Sequence, residues 1–250
     1  MKPLIVANWK MHPENSKDAL DLAALITKEV RDVDAQVVLC PPFVYIPELL
    51  ASNNVFIGAQ DCFWENNGAF TGEVSPSMLR NLGCTYVILG HSERSQYMKE
   101  TMAMVKQKIQ AALSVGLAPV VCVGEEDIQE RKTELEVKLI GLLQGLQEKD
   151  LSKLVLTYEP LWAISTNKNA RSEDPEDLRE VVAAIRRILI ALFGEQSLQV
   201  PILYGGSVTA KNIQSFLGPD KAQGALVGAA SLDAQEFIAL VKNASIGYKE

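Results

Sequence analysis

The chain has 250 residues, of which 48% are hydrophobic and 22% charged; this supplies enough apolar side chain for a full core and excludes a disordered or low-complexity protein. A formal charge of -7 argues against nucleic acid or an anionic membrane surface as the main partner, because both need clustered Lys and Arg to neutralise phosphates. No apolar stretch is long enough to span a bilayer, and Met1-Lys2-Pro3-Leu4-Ile5-Val6 runs into a strand-like segment without a signal-peptide core, so a cytoplasmic location is expected.

In chain order, the first apolar run covers residues 4–9 and carries Asn8 and Lys10 at its end. Ser16 then reads as the cap of a helix whose apolar face is Leu20, Ala23 and Ala24. The second and third runs are 37–40 and 56–59; Gln60 follows the third, and the turn-rich segment Asn66-Asn67-Gly68-Ala69-Phe70-Thr71-Gly72 is expected to leave the surface as an excursion. The fourth run, 86–89, precedes His91-Ser92-Glu93-Arg94, and the fifth, 120–123, precedes Gly124-Glu125. Glu159 follows the sixth run, 154–158, and Asp174-Pro175 then opens a helix whose apolar face runs through 178–190. The seventh run, 202–204, leads into Gly205-Gly206-Ser207, with Thr209 ahead of a helical 213–216; the eighth, 225–227, leads into Gly228, with helix from Leu232 onward.

These runs are nearly continuous in Val, Ile and Leu, as strands buried on both faces should be. Their alternation with helical stretches implies a parallel sheet with right-handed crossovers. About eight such units fit a (β/α)8 TIM barrel, one domain over residues 1–250, better than an open doubly wound sheet. A dinucleotide-binding sheet would also need a GxGxxG turn after its first strand, which this chain lacks. Cys40, Cys62, Cys84 and Cys122 show no CxxC pair or zinc spacing and read as reduced thiols; with only His12 and His91 beside them, neither a metal nor another cofactor is expected.

In such a barrel the working residues lie just beyond the carboxyl ends of the strands, so Lys10, His91 and Glu159 would meet at one mouth. A partly desolvated carboxylate is suited to abstracting a proton beside a carbonyl, and an ammonium with an imidazole N–H is suited to holding the enediolate that results. Singly, a Glu after a strand is more often a cap or salt-bridge partner, and a lone His more often structural. Gly205-Gly206-Ser207 and Gly228 would let a phosphate approach backbone N–H groups, although the same glycines also serve ordinary tight turns. A different chemistry, nucleophilic attack by Cys122 with His91 as its base, is weakened by the apolar run in which Cys122 lies.

Asn8-Trp9-Lys10, Gly58-Ala59-Gln60-Asp61, His91-Ser92-Glu93-Arg94, Val123-Gly124-Glu125, Tyr158-Glu159-Pro160-Leu161-Trp162-Ala163-Ile164, Tyr204-Gly205-Gly206-Ser207-Val208 and Leu226-Val227-Gly228 resemble, in order and over essentially the whole chain, the triosephosphate isomerase family. The resemblance implies an isomerase of glycolysis and gluconeogenesis that interconverts dihydroxyacetone phosphate and D-glyceraldehyde 3-phosphate through an enediolate, without a cofactor. It makes Glu159 the base, Lys10 an electrostatic clamp and Asn8 a support for the substrate oxygens. His91 becomes a neutral electrophile, a pattern of which this family is itself the standard example. Glu93 would be a partner near Lys10, and the phosphate would rest on backbone N–H groups of Ser165, Ser207, Gly228 and Ala229. A closing lid is implied at about 160–170, and a loop at about 62–72 that docks into a second subunit of a homodimer; alternatively Phe63, Trp64 and Phe70 fold back on their own chain. Departures from the family pattern are Ser165-Thr166-Asn167 at the lid tip, where Gly-Thr-Gly is common, Asn169, where Thr is common, Ala229 for a second Gly, and Ser95, Lys99 and Met102 beyond the His91 cluster. The rival reading within the same architecture is a catalytically weak barrel that only binds sugar phosphate.

Overall fold

A computed structural model describes residues 2–52, 55–163 and 174–247. Eight parallel strands close into a barrel in chain order: β1 (Leu4–Asn8), β2 (Gln36–Cys40), β3 (Phe56–Ala59), β4 (Tyr86–Leu89), β5 (Ala118–Val123), β6 (Val155–Tyr158), β7 (Ile202–Tyr204) and β8 (Gly224–Val227). The seam is made where β1 pairs with both β2 and β8. Around it lie α1 (Ser16–Val30), α2 (Ile46–Ser52), α3 (Pro76–Leu82), α4 (Ser92–Met98), α5 (Met102–Ser114), α6 (Arg131–Leu143), α7 (Pro175–Phe193), α8 (Ile213–Phe216) and α9 (Ala234–Gly247).

All eight expected runs are strands, with ends that shift for local reasons. The first stops at Asn8 and not at Trp9, because Lys10 turns to a φ of 54° and breaks the extended path. The cap of α1 is Asn15, whose side chain accepts from the Asp18 N–H, and Ser16 is the first helical residue. Asp174 caps α7 as expected, its carboxylate accepting from the Glu176 N–H with Pro175 at the first position. Ahead of α8 the cap position is Asn212, while Thr209 contributes its carbonyl to the Ile213 N–H. After β8 a single 3-10 turn, Ala229–Leu232, precedes α9, which starts at Ala234 and not at Leu232.

Alternating side chains of a barrel strand point into and out of the barrel. Leu4 and Val6 pack with Val38, Ile88, Val120 and Leu226 in one buried cluster, the barrel interior; Ile5, Ala7, Val37, Leu39, Val87 and Leu89 join the larger cluster between strands and helices. Both faces of each strand are therefore dry, and this is the physical reason the runs read as nearly unbroken apolar sequence. Continued by two residues, the inward set leads to polar side chains or glycines at the carboxyl ends: Asn8 after Leu4 and Val6, Thr157 and Glu159 after Val155, Gly205 after Leu203, and Gly228 after Leu226. Among the described residues no helix is long and apolar enough to cross a membrane.

The seam leaves no room for a side chain at the start of β8. A Cβ on Gly224 would lie 1.9 Å from the Leu4 carbonyl oxygen, a backbone atom that cannot rotate away. Gly224→Ala is expected to cost at least the ~1–3 kcal/mol typical of overpacking, read as a lower midpoint in thermal unfolding. An unchanged midpoint would show that the closure between β8 and β1 has slack.

Candidate active site

Glu159 leaves β6 on the inward side and is 3% exposed. One carboxylate oxygen, Oε1, lies 3.0 Å from Nε2 of His91, and the other accepts the Ser92 backbone N–H at 3.1 Å. Burial pushes the Glu159 carboxyl above its ordinary value of 4.5, while His91 and the Ser92 N–H pull in the opposite direction. The net upward shift gives a carboxylate that holds a proton more readily than one in water, which is what a base near neutral pH requires.

His91 is buried at the N-terminal cap of α4, and its Nδ1 accepts the Glu93 backbone N–H at 3.2 Å. A ring nitrogen that accepts a hydrogen bond carries no proton, so the proton of the imidazole resides on Nε2, facing Glu159. The helix N-terminus thus selects a neutral imidazole that donates through Nε2. Lys10 follows β1 in the left-handed region, its N–H donating to Oδ1 of the buried Asn8 at 3.1 Å. The side-chain amide of Gln60 donates to the Lys10 carbonyl at 2.7 Å and to the Cys40 carbonyl at 2.9 Å, bracing that turn from β3. The Lys10 ammonium meets the Glu93 carboxylate at 2.5 Å, so α4 contacts both the imidazole and the ammonium.

The last two strands reach the same mouth. A Cβ on Gly205 would sit 2.7 Å from Cγ2 of Thr157 and 3.4 Å from Cβ of Glu159, and one on Gly228 would sit 3.3 Å from Cε and 3.7 Å from Nζ of Lys10. Gly228 therefore lies beside the ammonium, and Gly205 beside the carboxylate. The Gly228 carbonyl is taken by Ser231, from its N–H at 2.8 Å and its hydroxyl at 2.7 Å, in the 3-10 turn that begins at the exposed Ala229. Ser207 is half-buried after β7, its carbonyl accepting from the Asn212 side chain at 3.1 Å. Asn8, Lys10, His91, Glu93, Glu159, Ser207, Gly228 and Ala229 all lie beyond or at the carboxyl ends of the strands. Ser165 and most of the expected lid lie outside the described residues.

The rival nucleophile fares poorly. Burial, and after it the charges of Glu159 and Glu100, push the Cys122 thiol well above its ordinary value, so it stays protonated in the barrel interior. All four cysteines are free and buried. Among the described residues no cluster of His, Cys, Asp and Glu could hold a metal ion.

One group has a larger part than the sequence assigned to it. Glu125, fully buried after β5, takes three donors on a single oxygen: the Tyr158 hydroxyl at 2.8 Å, the Trp162 indole N–H at 3.0 Å and Nε of Arg131 at 3.0 Å. Its carbonyl accepts the Leu161 N–H at 3.1 Å, and the Arg131 guanidinium lies 5.8 Å from the centroid of the Trp162 ring. The start of the loop after Glu159 is thereby tied to β5. The signal in the sequence was a carboxylate at a strand end with an indole nearby in the same set of motifs, but neither residue names its partner.

A sequence profile of the triosephosphate isomerase family matches residues 3–244. The chain is 46% identical to the triosephosphate isomerase of Caldanaerobacter subterraneus subsp. tengcongensis, 45% to that of Moorella thermoacetica and 44% to that of Thermoanaerobacter sp. strain X514; each comparison covers 96% of this chain and 98% of the relative.

The raised Glu159 has a consequence for stability. A carboxyl whose folded pKa exceeds its unfolded one binds its proton more tightly when folded, so burial of the charged form costs stability at every pH above the folded pKa. That cost fades as the pH falls through the folded pKa and is absent below the ordinary value of 4.5. Glu159→Gln is expected to melt a few degrees higher than the parent protein at neutral pH, with the gap closing in acid. A gap independent of pH would mean that the carboxylate charge is not its source.

Proposed function

The chain belongs to the triosephosphate isomerase family, and from that premise we propose how its residues divide the work of interconverting dihydroxyacetone phosphate and D-glyceraldehyde 3-phosphate. The reading is carried by one observation: a buried carboxylate, Glu159, within 3.0 Å of an imidazole that the Glu93 N–H leaves neutral and donating. Glu159 takes a proton from the carbon beside the substrate carbonyl and returns it to the neighbouring carbon. The negative charge that forms on oxygen meets two donors already in place, the Nε2–H of His91 and the ammonium of Lys10. In the present arrangement the Nε2–H points at Glu159, so substrate binding exchanges the carboxylate for a substrate oxygen and frees Glu159 to reach carbon. Asn8 supports the Lys10 turn through its backbone bond and presents its amide to the substrate oxygens.

Backbone N–H groups of Ser207, Gly228 and Ala229, together with Ser165, hold the phosphate dianion. The Lys10 side chain lies beside Gly228, which supports a position of the ammonium between phosphate and carbonyl. The segment at about 160–170 acts as a lid that excludes water from the enediolate, with Leu161 and Trp162 anchored on Glu125. The contact of base with neutral donor, and the link of the Lys10 ammonium to the same helix turn through Glu93, support turnover over the catalytically weak binding barrel.

A cytoplasmic homodimer completes the reading, with the single barrel domain spanning the chain. In the loop at about 62–72, Phe63 stacks on Trp64 with centroids 4.0 Å apart and packs on Phe70 at 4.7 Å, so the loop is held in shape by its own rings. Yet Phe70 remains 44% exposed, and Met11, Tyr97 and Met98 are exposed by 89%, 64% and 64%. A second copy of the chain covers these apolar side chains.

Purified protein is expected to interconvert the two triose phosphates, and absence of turnover above buffer overturns the reading. Glu159→Gln should lower kcat by about 10²- to 10⁴-fold without loss of the far-ultraviolet dichroism; near-normal turnover would remove Glu159 from the role of base. Sedimentation equilibrium should give twice the 27.4 kDa chain mass, whereas a monomer at micromolar concentration would refute the docking role of the loop.

A further inference from the structure

Four charged groups that the reaction does not use form a ring that includes α4, three of them buried and Arg94 half-buried. Asp61, two residues beyond β3, accepts from Nζ of Lys108 at 2.8 and 2.9 Å and from Nη2 of Arg94 at 2.9 Å. Glu100 accepts from Nε of Arg94 at 3.1 Å and from Lys108. Each cation touches both carboxylates, so the two positive and two negative charges cancel inside the protein. The ring joins the end of β3, α4, the α4–α5 connection and α5.

Helix α4 has an unusual need for such an anchor. Its only buried residue is Ser92, and Tyr97 and Met98 face outward, so no apolar face fixes its orientation. Yet its first turn contacts three polar groups of the reaction: the Ser92 N–H holds Glu159, the Glu93 N–H sets the tautomer of His91, and the Glu93 carboxylate holds Lys10. The Arg94 guanidinium, a planar fork shared between Asp61 and Glu100, is the charged tether of that turn. Gln60, adjacent to Asp61, grips the Lys10 backbone from the same segment. The pair Gln60-Asp61 thus sets the spacing of ammonium and imidazole from one side.

We propose that Asp61 is a positioning residue for the reaction: through Arg94 it fixes the helix turn that orients His91, and it does so by its charge. The proposal rests on the isomerase reading above. Asp61→Asn keeps the size of the side chain and removes the charge. It is expected to lower kcat about tenfold, the scale of a sub-ångström misplacement of a catalytic group, with KM changed less than twofold because the phosphate loops are untouched. A purely structural role would lower only the melting temperature or the amount of folded protein, so both kinetic constants are referred to folded protein measured by near-ultraviolet dichroism. The second arm is a cycle with Arg94→Gln. If Asp61 acts through Arg94, the double variant loses no more kcat than Arg94→Gln alone; losses that multiply overturn the proposal. So does an Asp61→Asn protein with parental kcat, or one in which the loss falls on KM. Should Asp61→Asn not fold, Arg94→Lys keeps the charge and loses the fork: it is expected to show the same drop in kcat, and parental kcat there overturns the proposal as well. Failure of the parent protein to turn over would instead sink the isomerase reading.

Discussion

Barrel closure with strict two-residue alternation is the constraint on which everything else depends. Once β8 pairs with β1, the inward and outward sets of every strand are determined, and the inward set cannot be polar except at its ends, where the barrel opens to water. Each strand therefore delivers at most one or two polar groups to the mouth, at positions set by count from its apolar core. Glu159 from β6, Asn8 from β1 and the glycines after β7 and β8 arrive in this way. These groups come from residues far apart in the chain, and their convergence is a property of the closed sheet.

The mouth also shows how a charge is made useful where burial opposes it. Lys108, Asp61 and Glu100 are buried and Arg94 is half-buried, in matched numbers, each cation facing both carboxylates, and removal of any one would leave an uncompensated charge. Glu159 is treated differently. It has a neutral imidazole and a backbone N–H as its immediate partners, with no full cation in contact, so burial outweighs them and its proton affinity rises. Glu125 stands between these cases: three donors converge on one oxygen, and that satisfaction ties the loop after β6 to β5. Four buried carboxylates with three different kinds of partner set thus stand in three different electrostatic situations.

Much of this was legible beforehand. The eight apolar runs stood out because both faces of each strand are covered, and the capping role of Asp174 stood out because Pro175 follows it. At the first helix Asn15 and Ser16 are both good caps by residue type, and only the bond from the Asp18 N–H selects Asn15. The strand-end polar groups and the family motifs named Lys10, His91 and Glu159 without coordinates. The charged ring was not visible: Lys108 lies in a helix among Val105, Ile109 and Ala112, and nothing local says that an ammonium there has two carboxylates waiting. Likewise Glu125 stands out in the sequence only as a polar strand end, and its three donors come from β6, the following loop and α6.

By itself the sequence determined the eight strands, the parallel closed sheet and the identity of the groups at its mouth, because periodicity and residue type are local quantities that burial on two faces imposes directly. Only the tertiary structure decided which nitrogen of His91 bears the proton, which carboxylate is left without a cation, and what holds α4 in place. Those depend on distances of about 3 Å between residues tens of positions apart, and such distances exist only once the barrel has closed.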